Sequence, residues 1–162
     1  MAASRQHRLV PEGSRAPDFR LTRLNGGEGA LTELLAGGPV LLAFFKVTCP
    51  VCQLTLPFLE RLHNPPLLPV YGISQNCSED TREFARHFGL SFPMLLDREE
   101  DEFPASNAYG ISSVPTLFLV ERGGTIAGVI EGWQRKAIEW LGARAGVAAI
   151  RAEDNVPEWK SG

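Results

Sequence analysis

The chain alternates between short, nearly continuous apolar runs and longer stretches where apolar residues recur at helical spacing, with Gly and Pro breaks between them. Val40 to Lys46 is apolar almost throughout, which predicts a central strand covered on both faces. Leu68 to Ser74 predicts a second buried strand. Ala16 to Thr22 alternates apolar and polar residues, as a short edge strand would, and Asn25-Gly26-Gly27 supplies a hairpin-type turn. Leu31 to Leu35 predicts one or two helical turns, ended by Gly37-Gly38. A helix is expected from about Pro50 to Leu62, kinked where Pro57 removes a backbone donor and stopped by His63-Asn64-Pro65-Pro66.

Ser78-Glu79-Asp80-Thr81 opens the next helix, with Ser78 as N-cap and acidic residues in the first turn. Thr81, Phe84 and Phe88 share one face of it, and Gly89 closes it. Phe92 to Asp97 predicts a short extended segment, and Phe103 to Tyr109 a short helix. Ser112 to Val120 reads as a loop entering a strand, and Gly123-Gly124 turns it into its partner, Thr125 to Ile130. Arg135 to Val147 closes the pattern as a helix with Ile138, Leu141 and Ala145 inward. Strands alternating with helices predict an α/β fold, a central mixed sheet with helices on both faces.

Composition narrows this only a little. With 162 residues the chain fits one domain able to bury a core without disulfide staples. Residues 1–12 are expected to form a flexible arm, 13–150 the folded domain and 151–162 a tail. A net charge of −3 gives no reason to expect nucleic-acid or anionic-membrane partners. Met1 to Val10 carries positive charge with no apolar segment of signal-peptide length behind it, and no stretch is long enough to span a membrane. A cytoplasmic location is the expectation.

Chemistry concentrates at Cys49-Pro50-Val51-Cys52, two of three cysteines in the chain. The pair follows a predicted buried strand and opens a predicted helix. Free backbone N–H groups and the positive end of the helix dipole favour a thiolate there, and the thiolate is the reactive form of cysteine. A C-x-x-C in a βαβ setting reads as a redox motif. The same spacing could also serve a structural disulfide or half of a metal site, although no second C-x-x-C or H-x-x-x-H completes a zinc set. No metal and no cofactor beyond the dithiol/disulfide itself is expected.

Three blocks together resemble the redoxin branch of the thioredoxin superfamily, which includes alkyl hydroperoxide reductase/thiol-specific antioxidant proteins and TlpA-like thiol–disulfide oxidoreductases. They are Gly13-Ser14-Arg15-Ala16-Pro17-Asp18-Phe19, Phe44 to Cys52, and Tyr109 to Thr116. The likeness covers roughly residues 13–147. It implies a thioredoxin-like three-layer α/β/α fold, a cis Val114–Pro115 peptide facing the thiols, and Val114 pairing with a peptide substrate. It implies thiol–disulfide exchange, with Cys49 as nucleophile and Cys52 as resolving thiol. Thr48, Pro50, Val51, Val114 and Pro115 then orient the substrate, a disulfide-containing protein or small molecule, and a reducing partner restores the dithiol.

The chain departs from that branch in ways that touch mechanism. Thr48 stands where thioredoxins place a Trp before the first cysteine, and its hydroxyl could donate to a sulfur or cap the helix. The carboxylates that assist the resolving thiol in relatives are absent: Ala43 and Thr55 occupy those positions. Thr55, Lys46 and Cys77 are therefore candidate auxiliary residues, Lys46 by its charge and Cys77 as a third thiol ahead of a helix. A peroxiredoxin-type peroxidase with Cys49 as peroxidatic residue is the alternative, but Lys46 stands three before Cys49 and no Thr precedes either cysteine by three. A non-catalytic binding module or soft-metal carrier is a further reading. Asp97 and Glu99 to Glu102 read as a solvated acidic loop, His63 and His87 as helix-end residues, and Trp133, Trp140 and Trp159 as packing residues.

Overall fold

The computed structural model describes residues 8–63 and 67–162. The expectations for residues 1–7 of the arm, and for Asn64-Pro65-Pro66 as a helix stop, lie outside the described residues. Nine strands and five α-helices are found among the described residues. They are β1 Arg20–Arg23, β2 Glu28–Ala30, α1 Leu31–Leu34, β3 Val40–Phe45, α2 Pro50–His63, β4 Val70–Ser74, α3 Ser78–Phe88, β5 Met94–Leu96, α4 Pro104–Tyr109, β6 Thr116–Val120, β7 Ile126–Glu131, β8 Trp133–Gln134, α5 Arg135–Ala145 and β9 Trp159–Lys160.

Seven strands form one mixed sheet in the order β2-β1-β5-β4-β3-β6-β7. The pairs β3–β4 and β4–β5 are parallel, and the remaining pairs are antiparallel. Two successive crossovers, through α2 and then α3, step the sheet in the same direction, so a common right hand puts both helices on one face. Phe84 of α3 accordingly stacks on Phe45 at 5.3 Å between ring centroids. The neighbouring Phe44 points the other way, to Tyr109 of α4 at 5.2 Å. Helices thus cover both faces, and the uninterrupted apolar run of β3 has its cause: all six residues are buried.

Several local expectations are corrected. The predicted edge strand at Ala16–Thr22 is β1, which lies between β2 and β5, because the Asn25-Gly26-Gly27 turn adds β2 outside it. The N-cap of α3 is Cys77, whose backbone is extended at ψ 165°, and Ser78 is already helical. Asp97 is fully buried, not solvated: its two carboxylate oxygens accept the Ala105 and Ser106 N–H groups at 2.9 and 2.8 Å. A helix start leaves such donors unpaired, and an anion there also suits the dipole. Of the tryptophans only Trp133 is buried; Trp140 and Trp159 are 43% and 62% exposed.

Residues 149–162 fold back along α2 and β8. The Arg61 guanidinium holds both Asp154 oxygens, at 2.5 and 3.1 Å, and also donates to the Ala149 carbonyl. The Trp133 indole N–H donates to the Pro157 carbonyl at 2.6 Å. Beyond that anchor β9 pairs antiparallel with β8, Lys160 opposite Trp133.

Candidate active site

Register alone brings the two sequence motifs together. Phe44, near the carboxyl end of β3, pairs with Thr116 at the start of β6. The loop leaving β3 toward Cys49 and the loop entering β6 through Val114–Pro115 therefore meet at the same end of the sheet. The Val114–Pro115 peptide is cis. Between Phe45 and the helix the chain makes a tight turn, and α2 begins at Pro50, a position where proline's missing N–H costs nothing.

That turn is pinned from two sides. The Val47 N–H donates to Asn76 Oδ1 at 2.9 Å, and the Gln53 side-chain amide donates to the Val47 carbonyl at 3.0 Å. Asn76 is itself fixed by its own N–H on Ser74 Oγ, which shares a 2.7 Å hydrogen bond with Thr81. The Cys49 N–H closes the turn on the Lys46 carbonyl at 3.3 Å.

The two sulfurs have unlike surroundings. Cys49 is half-buried, whereas Cys52 is 0% exposed, packed on the inner face of α2. The Cys52 backbone N–H donates to the Cys49 sulfur at 3.2 Å, and the Cys49 thiol donates to the Val114 carbonyl at 3.4 Å. Burial, reinforced by the hydrogen bond with Cys49, pushes the Cys52 thiol far above its ordinary value; the Lys46 backbone and, more weakly, the Lys46 charge pull the other way. Among the described residues no carboxylate acts on Cys52. Ala43 is buried in β3, and the Thr55 hydroxyl is spent on the Val51 carbonyl at 2.7 Å.

The remaining predicted residues are placed as follows. Val114 and Pro115 are buried beside Cys49, while Thr48 and Pro50 are exposed and Val51 is half-exposed around it. The Thr48 hydroxyl has no partner among the described residues. Lys46 is exposed at the end of β3. Cys77 is exposed at the start of α3. A shallow groove of about 390 Å³, lined by Val47, Thr48, Gln53, Phe84, His87 and Phe88, runs from the Cys49 turn onto α3. A larger depression of about 600 Å³ lies at the far end of β6, around Arg15, Asp18 and Gly124. Disulfide exchange needs an accessible sulfur rather than an enclosed cavity, so the smaller groove is the one that matters. Among the described residues no three His, Cys, Asp or Glu side chains converge in a manner that would hold a metal, and no helix is long and apolar enough to cross a membrane.

Sequence reasoning missed Asn76, Gln53 and Gly132. Asn76 and Gln53 act on the turn through hydrogen bonds that no spacing rule announces. Gly132, at φ +69°, lets the chain from β7 pass directly under Lys160, where a Cβ would overlap the Lys160 carbonyl oxygen. Its N–H donates to the Pro115 carbonyl at 2.8 Å.

A sequence profile of the AhpC/TSA family matches residues 13–129. Among curated proteins, the thiol-disulfide oxidoreductase ResA of Geobacillus thermodenitrificans is 35% identical over 133 residues, covering 78% of this chain and 73% of its own. The thioredoxin-like protein YneN of Bacillus subtilis is 31% identical over 134 residues, covering 78% and 75%. Among solved structures, the thioredoxin domain of a thiol-disulfide oxidoreductase from Bacteroides vulgatus superposes with a TM-score of 0.68 at 23% identity, covering 76% of this chain and 91% of its own. Peroxidoxin BcpB from Mycobacterium tuberculosis reaches 0.68 at 21% identity, covering 87% and 98%. At those identities the two structures establish the fold, and they do so for both kinds of activity.

Proposed function

The chain belongs to the AhpC/TSA family, and on that premise we propose that Cys49 is the nucleophile and Cys52 the resolving thiol of its exchange reaction. The protein is a thiol–disulfide oxidoreductase, similar to ResA along most of its length. In the reductive direction the Cys49 thiolate attacks one sulfur of a substrate disulfide. That S–S bond breaks, the departing thiolate takes up a proton, and a mixed disulfide remains on Cys49. The Cys52 thiol loses its proton and attacks the Cys49 sulfur. The second substrate thiol leaves, and two electrons have passed from the dithiol to the substrate. A reducing partner restores the pair.

One observation carries the assignment of roles: the asymmetry of the pair. Cys49 is accessible and receives the Cys52 N–H, a donor suited to an anionic sulfur. Cys52 is enclosed, lies beside Cys49, and holds its proton tightly. Protein and small-molecule disulfides are the proposed substrates, since Cys49 keeps part of its surface open to solvent. Peroxidase chemistry is the weaker reading, because Lys46 stands where a peroxide-orienting Thr would precede Cys49 by three residues.

Reduction of insulin disulfides with a regenerating dithiol tests this reading. Turnover is expected in the wild type and absent in Cys49→Ser, with mixed disulfides accumulating in Cys52→Ser. Full turnover by Cys49→Ser would overturn the roles, and rapid hydroperoxide consumption without disulfide reduction would favour the peroxidase.

A further inference from the structure

We propose that residues 158–162 occupy the subsite where the backbone of a polypeptide disulfide must lie, and that such a substrate is admitted by displacing them. This rests on the assignment of Cys49 as the attacking thiol. The Val114 carbonyl oxygen is the pivot. On one side it accepts the Cys49 thiol at 3.4 Å. On the other it is covered by Gly162, packed so closely that a Cβ there would overlap the same oxygen.

A cystine sulfur is joined to its own backbone through one methylene, and a disulfide holds its two Cα atoms about 4.4–6.8 Å apart. A polypeptide captured on Cys49 must therefore bring its main chain against the surface flanking Val114. That surface already holds Gly162, and the strand just before it, β9, lies in antiparallel register with Trp133 and Gln134. Arg135 N–H adds a further backbone hydrogen bond, to the Glu158 carbonyl at 2.9 Å. The occupant is main chain read by main chain, which is how an extended peptide of any sequence would be held.

The segment is built to leave. Up to Pro157 it is fastened by Trp133 and by the Arg61–Asp154 pair. Past Pro157 the residues from Glu158 to Gly162 are all exposed, and Trp159 keeps its ring largely in water. Little apolar surface is returned to solvent when they lift, and the anchor keeps them close enough to return. A small disulfide carries no main chain and does not compete with them.

The test uses the full chain as Cys52→Ser, with Cys77→Ser to remove the other exposed thiol. Cys49 is loaded either with a ten-residue unstructured peptide through its single cysteine or with 2-mercaptoethanol. Each enters from its mixed disulfide with thionitrobenzoate, whose release as a coloured thiolate reports loading. In the peptide adduct the backbone amide resonances of Trp159, Lys160 and Gly162 are expected to move to positions of unpaired chain. In the mercaptoethanol adduct they stay. Equal, native-like resonances in both adducts would overturn the proposal.

Kinetics give a second arm. Gly162→Val, in the otherwise unaltered chain, is expected to raise the rate with a cystine peptide about tenfold more than the rate with hydroxyethyl disulfide, the equivalent of one or two backbone hydrogen bonds. An unchanged ratio would overturn it. Because adduct loading needs no turnover, failure of the oxidoreductase reading would appear as absent cycling in the wild type, independently of where the segment sits.

Discussion

The amide of Cys52 donates to the sulfur of Cys49 at 3.2 Å, while the thiol of Cys52 itself is buried. The resolving residue thus supports the nucleophile through its backbone and withholds its own sulfur. Serine at 52 keeps that amide, which is why the variant should form mixed disulfides normally and fail only at their release.

Release should depend steeply on pH. Burial holds the Cys52 thiol well above its ordinary value, and no carboxylate is present among the described residues to take its proton. Below its pKa, a thiol's thiolate fraction grows about tenfold per pH unit. The decay of a preformed Cys49 mixed disulfide, followed by stopped-flow between pH 7 and 9, is expected to accelerate accordingly. A flat profile would mean that another group accepts the proton.

The Cys49 turn should loosen when its pin is removed. Asn76→Ala leaves the Val47 N–H without its partner, a loss of about 1–3 kcal/mol if water cannot replace it. Urea unfolding should show the loss, and alkylation of Cys49 should change in rate as the turn moves. Asn76→Asp retains the acceptor and should recover most of the stability; if it does not, the hydrogen bond is not what fixes the turn.

Asp97→Ala should be more damaging than its neighbourhood in the sequence suggests. It strips two buried backbone donors of α4, Ala105 and Ser106, of their acceptor. Each buried unsatisfied donor costs about 1–3 kcal/mol, so a total of about 2–6 kcal/mol is expected by urea titration. Asp97→Asn, which keeps one acceptor oxygen, should lose less. An alanine variant within 0.5 kcal/mol of wild type would contradict the burial.

These cases show what the sequence could and could not convey. The sheet was legible because β3 and β4 are buried on both faces and so read as unbroken apolar runs, and because Pro115 and the cysteines carry recognisable blocks. Asp97 was not, since a carboxylate that caps a helix and one that faces water look alike beside Glu99 to Glu102. The N-cap reads one residue late, at Ser78 rather than Cys77, because it is set by backbone angles rather than by side-chain type alone. The pairing of β8 with β9 left no trace either: two-residue strands show no alternation, and the partners stand 27 residues apart at Trp133 and Lys160. Trp140 and Trp159 read as packing residues from size, although size alone does not bury a ring.

Stability should fall on mild acidification through His63. Its Nδ1 accepts the Val70 N–H at 3.1 Å, which only an unprotonated nitrogen can do, and the ring meets the edge of Phe92 at 6.1 Å between centroids. Burial lowers the His63 pKa, and the nearby Glu60 carboxylate offsets only part of that. With the folded value below the unfolded one of about 6.5, the unfolded chain binds the proton more readily. The contribution is therefore complete above about pH 6.5 and is lost as pH falls through the folded value. Urea midpoints measured from pH 7.5 to 5 should decline across that window in the wild type. His63→Asn, whose Oδ1 can accept from Val70 without titrating, should flatten the decline; an undiminished slope in that variant would assign the acid sensitivity to another group.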